Sequence, residues 1–289
     1  MVSWVVFALL SAIFFSVRDI ISKKVLKKHD SIVILFTSAF LVTLIISIVF
    51  INSIEFILPG NIFFVLFVKS LLVALGWYFL LEAYKHLDIS LVAPLLNLSS
   101  IVLLVLGIIF LGESLDLFQI IGFIILIVGA YALELKSFSN FLEPLKLFKH
   151  TSVMFIGISL ISLSFSAILD KILTLQISTS TIIFYNGFAI SFLTFIWLLI
   201  KKDIPDFVSV LREYPWSILF LGIANILTDV AYFLAVVTPG ALITLIIPIK
   251  RLSSVFTTIA GGHLFKEKRI FYKAIVSLVM VVGVLFLVL

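Results

Sequence analysis

Long apolar stretches separated by short polar breaks run the whole length of the chain. Cutting it at those breaks gives ten segments: 2–22, 31–51, 61–84, 89–111, 115–135, 152–174, 179–201, 215–237, 240–260 and 270–288. Each approaches or exceeds the ~20 residues a helix needs to cross a hydrocarbon core roughly 30 Å thick. The pattern predicts an all-α membrane protein of ten transmembrane helices. Most connections are only a few residues long, and the longest, "KSFSNFLEPLKLFKHT" (136–151), falls at the centre. The expected organisation is a first five-helix repeat over 1–136, a linker over 137–151 and a second five-helix repeat over 152–289.

Shifting the sequence by 154 places supports a duplication. Pro94 then falls on Pro248, Ser99 and Ser100 on Ser253 and Ser254, Gly107 on Gly261, Glu113 on Glu267 and Gly129 on Gly283. Tyr78, Phe79 and Leu80 fall on Tyr232, Phe233 and Leu234. Apolar coincidences carry little weight in such a chain, but these Pro, Ser-Ser, Gly and Glu matches share one gapless offset. In the earlier helices Phe36 and Phe40 match Phe184 and Phe188 at an offset of 148. Because five is odd, the two halves must cross the membrane in opposite senses. The charges agree: all Lys and Arg except Arg18, Lys69, Lys171, Lys250 and Arg251 lie in or beside the first, third, fifth, seventh and ninth connections. That distribution predicts a 5+5 inverted-topology repeat, an architecture of many secondary transporters, with both termini on the non-cytoplasmic side.

Composition narrows the class. Residues are 63% hydrophobic and 12% charged, far from the ~25% charged of a soluble domain. The formal charge of +5 sits at helix ends, where the positive-inside rule puts it, so nucleic acid is not an expected partner. Cysteine is absent, which excludes disulfides, thiolate nucleophiles and Cys-ligated metals. The first apolar run lacks a basic leader and is expected to stay as a helix. No phosphate-binding glycine loop, nucleophile elbow or HExxH occurs, so ATP-driven transport and hydrolysis have no support, and no metal or cofactor is expected.

The stretches "SLVAPLLNLSSIVLLVLGIIFLGESLDLFQIIGFIILIVGAYAL" (90–133) and "TLIIPIKRLSSVFTTIAGGHLFKEK" (244–268) share one order of features: a hydroxyl residue, a mid-helix proline, small residues and a Glu at the helix exit. In this the chain resembles EamA-type members of the drug/metabolite transporter superfamily. The resemblance implies a bundle with a substrate cavity between its halves, worked by alternating access. Many such proteins place basic residues so as to imply cytoplasmic termini, and this chain departs from them there. The Lys250-Arg251 pair followed by Leu-Ser-Ser-Val-Phe is similar to a Lys-Arg pair in the ninth helix of plastid phosphate translocators. That similarity implies a grip on an anionic phosphate.

A charge at the bilayer centre costs about 2.5–3.5 kcal/mol on insertion scales, so each needs a partner or a task. Arg18, Asp19, Lys69, Asp170, Lys171, Asp229, Lys250 and Arg251 are placed that way, with Glu82 nearer a helix end. They lie in polar stripes: Lys250, Ser254 and Thr257; Asn225, Thr228, Asp229 and Tyr232; and Ser162, Ser166 and Asp170. The expected substrate-binding residues are Lys250, Arg251, Asp229, Tyr232, Asn225, Lys69, Arg18 and Trp77. Asp229, Asp170 and Glu82 are candidates for ion coupling, and Pro94 and Pro248 for helix kinks near the site. The competing reading has Asp229 or Asp19 neutralising Lys250 or Arg251 as scaffold. Against it, Leu96 and Asn97 occupy the repeat-equivalent positions, so the cation pair is an asymmetric addition.

These features predict a secondary transporter, not an enzyme, moving a small polar metabolite that bears a carboxylate or phosphate. Such a chain sits in the bilayer as a monomer or homodimer. Two alternatives stand beside it: export of amino acids or cationic drug-like compounds through Asp229, and a non-transporting lipid-binding or flippase role.

Overall fold

The computed structural model describes residues 2–87, 89–112, 115–134, 151–266 and 269–288. Glu113, Glu267 and all of the linker but Thr151 lie outside them. The described elements are α1 (Val2–Val25), α2 (Ser31–Val49), α3 (Gly60–His86), α4 (Ile89–Leu95), α5 (Ser99–Leu111), α6 (Leu117–Glu134), α7 (Thr151–Thr174) and α8 (Thr179–Lys201). They continue as α9 (Ile204–Glu213), α10 (Pro215–Val237), α11 (Ile243–Lys250), α12 (Ser253–Phe256), α13 (Gly262–Leu264) and α14 (Ile270–Val288). Among the described residues there is no strand, and seven helical spans, one of them the interrupted Ile243–Leu264 stretch, are long and apolar enough to cross a membrane. The chain is an all-α integral membrane protein.

Local chemistry sets the helix ends. Ser178 accepts the Thr181 N–H at 3.3 Å and starts α8. Pro215, with no N–H to leave unsatisfied, opens α10. Gly112 ends α5 at φ 64°, a left-handed conformation that costs glycine no steric penalty.

The principal helix contacts join the two halves rather than neighbours in sequence. α1 packs on α10, α3 on α7, α2 on α8 and α6 on α14. Exchanging the halves maps this set onto itself, since the first helix of each half meets the third helix of the other. Close approach follows small residues, because van der Waals contact between helices drives association in lipid. A Cβ on Gly187 of α8 would lie 2.7 Å from Thr43 Oγ1 of α2, and one on Gly283 of α14 would lie 3.0 Å from the Gly122 carbonyl of α6. Lysines repeat the symmetry near the ends of α1 and α7. Lys23 donates to the Tyr84 and Leu87 carbonyls, and Lys171 to those of Val236 and Ala241 at 3.1 and 3.0 Å. Each thereby ties the first helix of its half to the C-terminal end of the third.

Two expected spans are interrupted. The 89–111 segment breaks into α4 and α5 at a 3-10 turn over Leu96–Leu98, two residues after Pro94. The 240–260 segment is not one helix: α11 contains Pro248 and ends at Lys250, a turn follows at Arg251 and Leu252, and a π-helical turn covers Thr257–Gly261. Proline supplies no N–H to the carbonyl four residues back and crowds it, which weakens the helix at these places. The breaks contact each other: Asn97 Nδ2 donates to Ser254 Oγ at 3.1 Å, and Arg251 Nε to Ser99 Oγ at 3.1 Å. Asn97 and Arg251 are partners under the 154-residue shift.

The seventh connection is also more ordered than a plain loop. It holds α9, whose Val210 is fully buried and whose Phe207 meets Phe36 with ring centroids 5.1 Å apart. His29 Nδ1 lies 2.7 Å from Asp206 Oδ1, and Lys28 bonds Glu213 at 3.3 Å, which raises the lysine pKa.

Candidate functional site

Two partly open cavities, of about 110 and 60 Å³, lie among the crossing helices. The larger is walled by α1, α3, α5, α7, α8, α10 and α11, and Arg251, just past the end of α11, lines it as well; the smaller is walled by α1, α2, α3, α8 and α10. Val73, Trp77, Asn186 and Asp229 line both, so the two form one continuous polar interior with a seam at those side chains.

Two charge networks in this interior are closed. Arg18 holds Asp19 at 2.8 Å, and Tyr84 donates its hydroxyl to the other Asp19 oxygen at 2.7 Å. The Arg18 guanidinium lies 3.8 and 3.7 Å from the ring centroids of Phe15 and Trp77, which are 5.7 Å apart and inclined at 49°, so its charge is held by a carboxylate and two adjacent aromatic rings. In the second network Lys69 Nζ lies 3.1 Å from Asp170 Oδ1, and Tyr232 donates to Asp170 Oδ2 at 3.2 Å. Lys69 is 2% and Asp170 6% exposed, so breaking this pair leaves a charge stranded away from water.

Lys250 and Arg251 are arranged differently. Among the described residues no carboxylate oxygen lies within 4.0 Å of either head group. The Lys250 ammonium sits 4.3 Å from the Tyr232 ring centroid and 5.3 Å from that of Phe15. Arg251 is buried and uses its Nε on Ser99, keeping the rest of its forked guanidinium for other acceptors. Asp19 and Asp170 are committed to other cations, and Asp229 forms no ion pair with either residue. The expectation that Asp229 or Asp19 closes a salt bridge with the pair therefore does not describe this geometry.

Of the residues expected from sequence, Lys250, Arg251, Asp229, Tyr232, Lys69, Asp170 and Trp77 line the larger cavity. Arg18 and Asn225 line the smaller, 3.5 Å apart. Glu82 lines neither; it lies 3.5 Å from His86, one helical turn away. Pro248 lines neither, and the side chain of Pro94 lies outside what is described. Three contributors escaped the sequence reading. Phe15 carries parts of three cations on its ring yet is one of 30 phenylalanines. Tyr84, near the C-terminal end of α3, was not singled out. Asn186 was passed over although it is a lone amide in the apolar run of α8, and that isolation was the available signal.

The arrangement offers cationic donors to an acid group within the helix bundle. Among the described residues no group of three or more His, Asp and Glu is placed to hold a metal. The sequence model of the EamA-like transporter family matches residues 2–135. No curated protein matches the chain. Among the solved structures that match, one protein crystal structure superposes with a TM-score of 0.71 at 10% identity, covering 98% of this chain and 96% of the other. At that identity the likeness concerns the fold alone.

Proposed function

We propose that the chain, whose residues 2–135 match the sequence model of the EamA-like transporter family, is a secondary transporter of a small polar metabolite bearing a carboxylate or phosphate. One observation carries the choice of an anion. Of the cations that line the two cavities, Arg18 and Lys69 have carboxylate partners at 2.8 and 3.1 Å, while Lys250 and Arg251 have none within 4.0 Å. Burying a charge without a partner is costly, so a chain that keeps two such cations side by side gains most from an acid group arriving between them. Arg251 is suited to a forked contact and Lys250 to a point contact with the same group.

The reading includes ten membrane helices in two five-helix halves, 1–136 and 152–289, related by an inverted-topology repeat. The exchange symmetry of the helix pairs, the matched lysine caps of Lys23 and Lys171, and the contacts between the two helix breaks support it. With the Lys and Arg bias it sets both termini on the non-cytoplasmic side. Alternating access would then consist of one half rocking on the other around the seam of the cavities.

The test is flux into proteoliposomes of radiolabelled succinate, inorganic phosphate and glycerol 3-phosphate, with wild type beside a Lys250→Ala, Arg251→Ala double variant. Saturable uptake of at least one anion, lost in the double variant, is the expected result. Saturable uptake that the double variant leaves intact overturns the assignment, as does flux confined to lipophilic cations and lost in Asp229→Asn.

A further inference from the structure

The seam between the two cavities carries acceptors as well as donors. Asn186 Oδ1 is buried and has no hydrogen-bond partner among the described residues. Asp229 lines both cavities as Asn186 does; Lys250 is the cation that acts on it most strongly, but among the described residues no Lys or Arg nitrogen lies within 4.0 Å of its carboxylate. Trp77 presents an aromatic wall at the same place. A buried amide oxygen without a donor is rare in folded proteins, and one beside an unpaired carboxylate marks a place built for something that donates hydrogen bonds and carries positive charge. Lys250 and Arg251 line the same larger cavity and supply the opposite chemistry.

We infer that the transported molecule carries an ammonium group together with two acidic charges, the ammonium lodging at Asp229 and Asn186 and the acid group at Lys250 and Arg251. This rests on the anionic-substrate reading above and narrows it. The charge count decides the class. Two unpaired cations against one unpaired carboxylate leave the site one positive charge in excess, which a ligand of net charge −1 neutralises. A simple dicarboxylate would satisfy the cations but strand Asp229 and Asn186. A simple amine would do the reverse. The class contains acidic amino acids, free ammonium-bearing phosphate monoesters, and the serine phosphodiester of a lipid headgroup, which carries phosphate, carboxylate and ammonium together. Size agrees. A water needs roughly 10–15 Å³ of cavity on the same measure, so about 110 and 60 Å³ together hold on the order of ten waters, or a ligand of about that many heavy atoms.

The experiment is a thermal-shift series on purified wild type and Asp229→Asn. The probes are L-aspartate, succinate, O-phosphoethanolamine, inorganic phosphate and glycerophosphoserine. In wild type, L-aspartate is expected to stabilise more than succinate, or O-phosphoethanolamine more than phosphate, at equal concentration. In Asp229→Asn that advantage disappears while the succinate or phosphate shift persists, which also shows the variant to be folded. Asn186→Ala, which spares every charge, is expected to reduce the same advantage. Stabilisation by glycerophosphoserine alone, with the same dependence on Asp229, assigns the chemistry to a lipid headgroup. If succinate or phosphate stabilises wild type as well as its ammonium-bearing counterpart, the inference is wrong and the anion assignment stands. If none of the five shifts wild type, both fail.

Discussion

Lys69 and Lys250 are both lysines lining the same cavity, and replacing each by methionine should have opposite consequences. Methionine keeps the length and apolar stem of lysine and removes the charge. Lys69 is 3.1 Å from Asp170, with side chains 3 and 9% exposed, so Lys69→Met leaves a carboxylate with only the Tyr232 hydroxyl for company. Removing one partner of such a buried pair costs about 3–5 kcal/mol. Lys250→Met removes an ammonium that has no carboxylate within 4.0 Å. It loses the contacts with the Tyr232 and Phe15 rings, worth about 0.5–2 kcal/mol. It regains the roughly 2.5–3.5 kcal/mol that a central lysine costs on insertion scales. The sum lies between neutral and about 3 kcal/mol more stable. Unfolding by sodium dodecyl sulfate in mixed micelles, followed by helical circular dichroism, measures both variants on one scale. A Lys69→Met, Asp170→Asn double variant should recover most of the Lys69→Met loss. Equal destabilisation by Lys69→Met and Lys250→Met would refute the reasoning, because it would mean that Lys250 has a carboxylate partner of its own.

Three further outcomes follow from the same contacts. Tyr84→Phe removes a hydroxyl that donates to Asp19 at 2.7 Å and should cost about 1–3 kcal/mol in the same unfolding assay; the Lys23 contact to the Tyr84 carbonyl is untouched. Gly283→Ala sets a methyl 3.0 Å from the Gly122 carbonyl and should cost about 1–3 kcal/mol, whereas Gly60→Ala, with nothing within 4 Å, should be close to neutral. Asp206→Ala removes the contact to His29 Nδ1 and should speed hydrogen exchange in α9 while leaving mid-α10 amides unchanged, as mass spectrometry of the two peptides would read.

The membrane class and the placement of long helices were legible because a hydrocarbon solvent enforces uniform apolar runs, and nothing else in the chain resembles them. The polar interior was legible for the same reason, since each intramembrane charge stands out against leucine and phenylalanine. Partner choice was not. Asp19 could face Arg251 or Arg18, and only the packing of α1 on α10 and α3 decides that it joins Arg18 and Tyr84. The break after Lys250 was shadowed by Pro248, but the site of failure moved three residues on, to where Arg251 turns toward Ser99. α9 was missed because a ten-residue amphipathic stripe between two apolar helices looks like a polar connection until Val210 is seen buried. Phe15 was hidden by abundance, being one of 30 phenylalanines, whereas Asn186 was legible in principle as a lone amide in an apolar helix.

The most direct test of the account is the equilibrium binding of succinate, inorganic phosphate and L-aspartate to purified protein, measured by titration calorimetry. Wild type would be compared with Lys250→Gln, Arg251→Gln and the double variant. Hydrogen bonds to a charged group contribute about 1.5–3 kcal/mol, so each single change should weaken the acid ligand that binds by about tenfold or more. The double change should abolish the heat signal. Binding of unchanged affinity in the double variant would contradict the claim that these two cations receive the substrate.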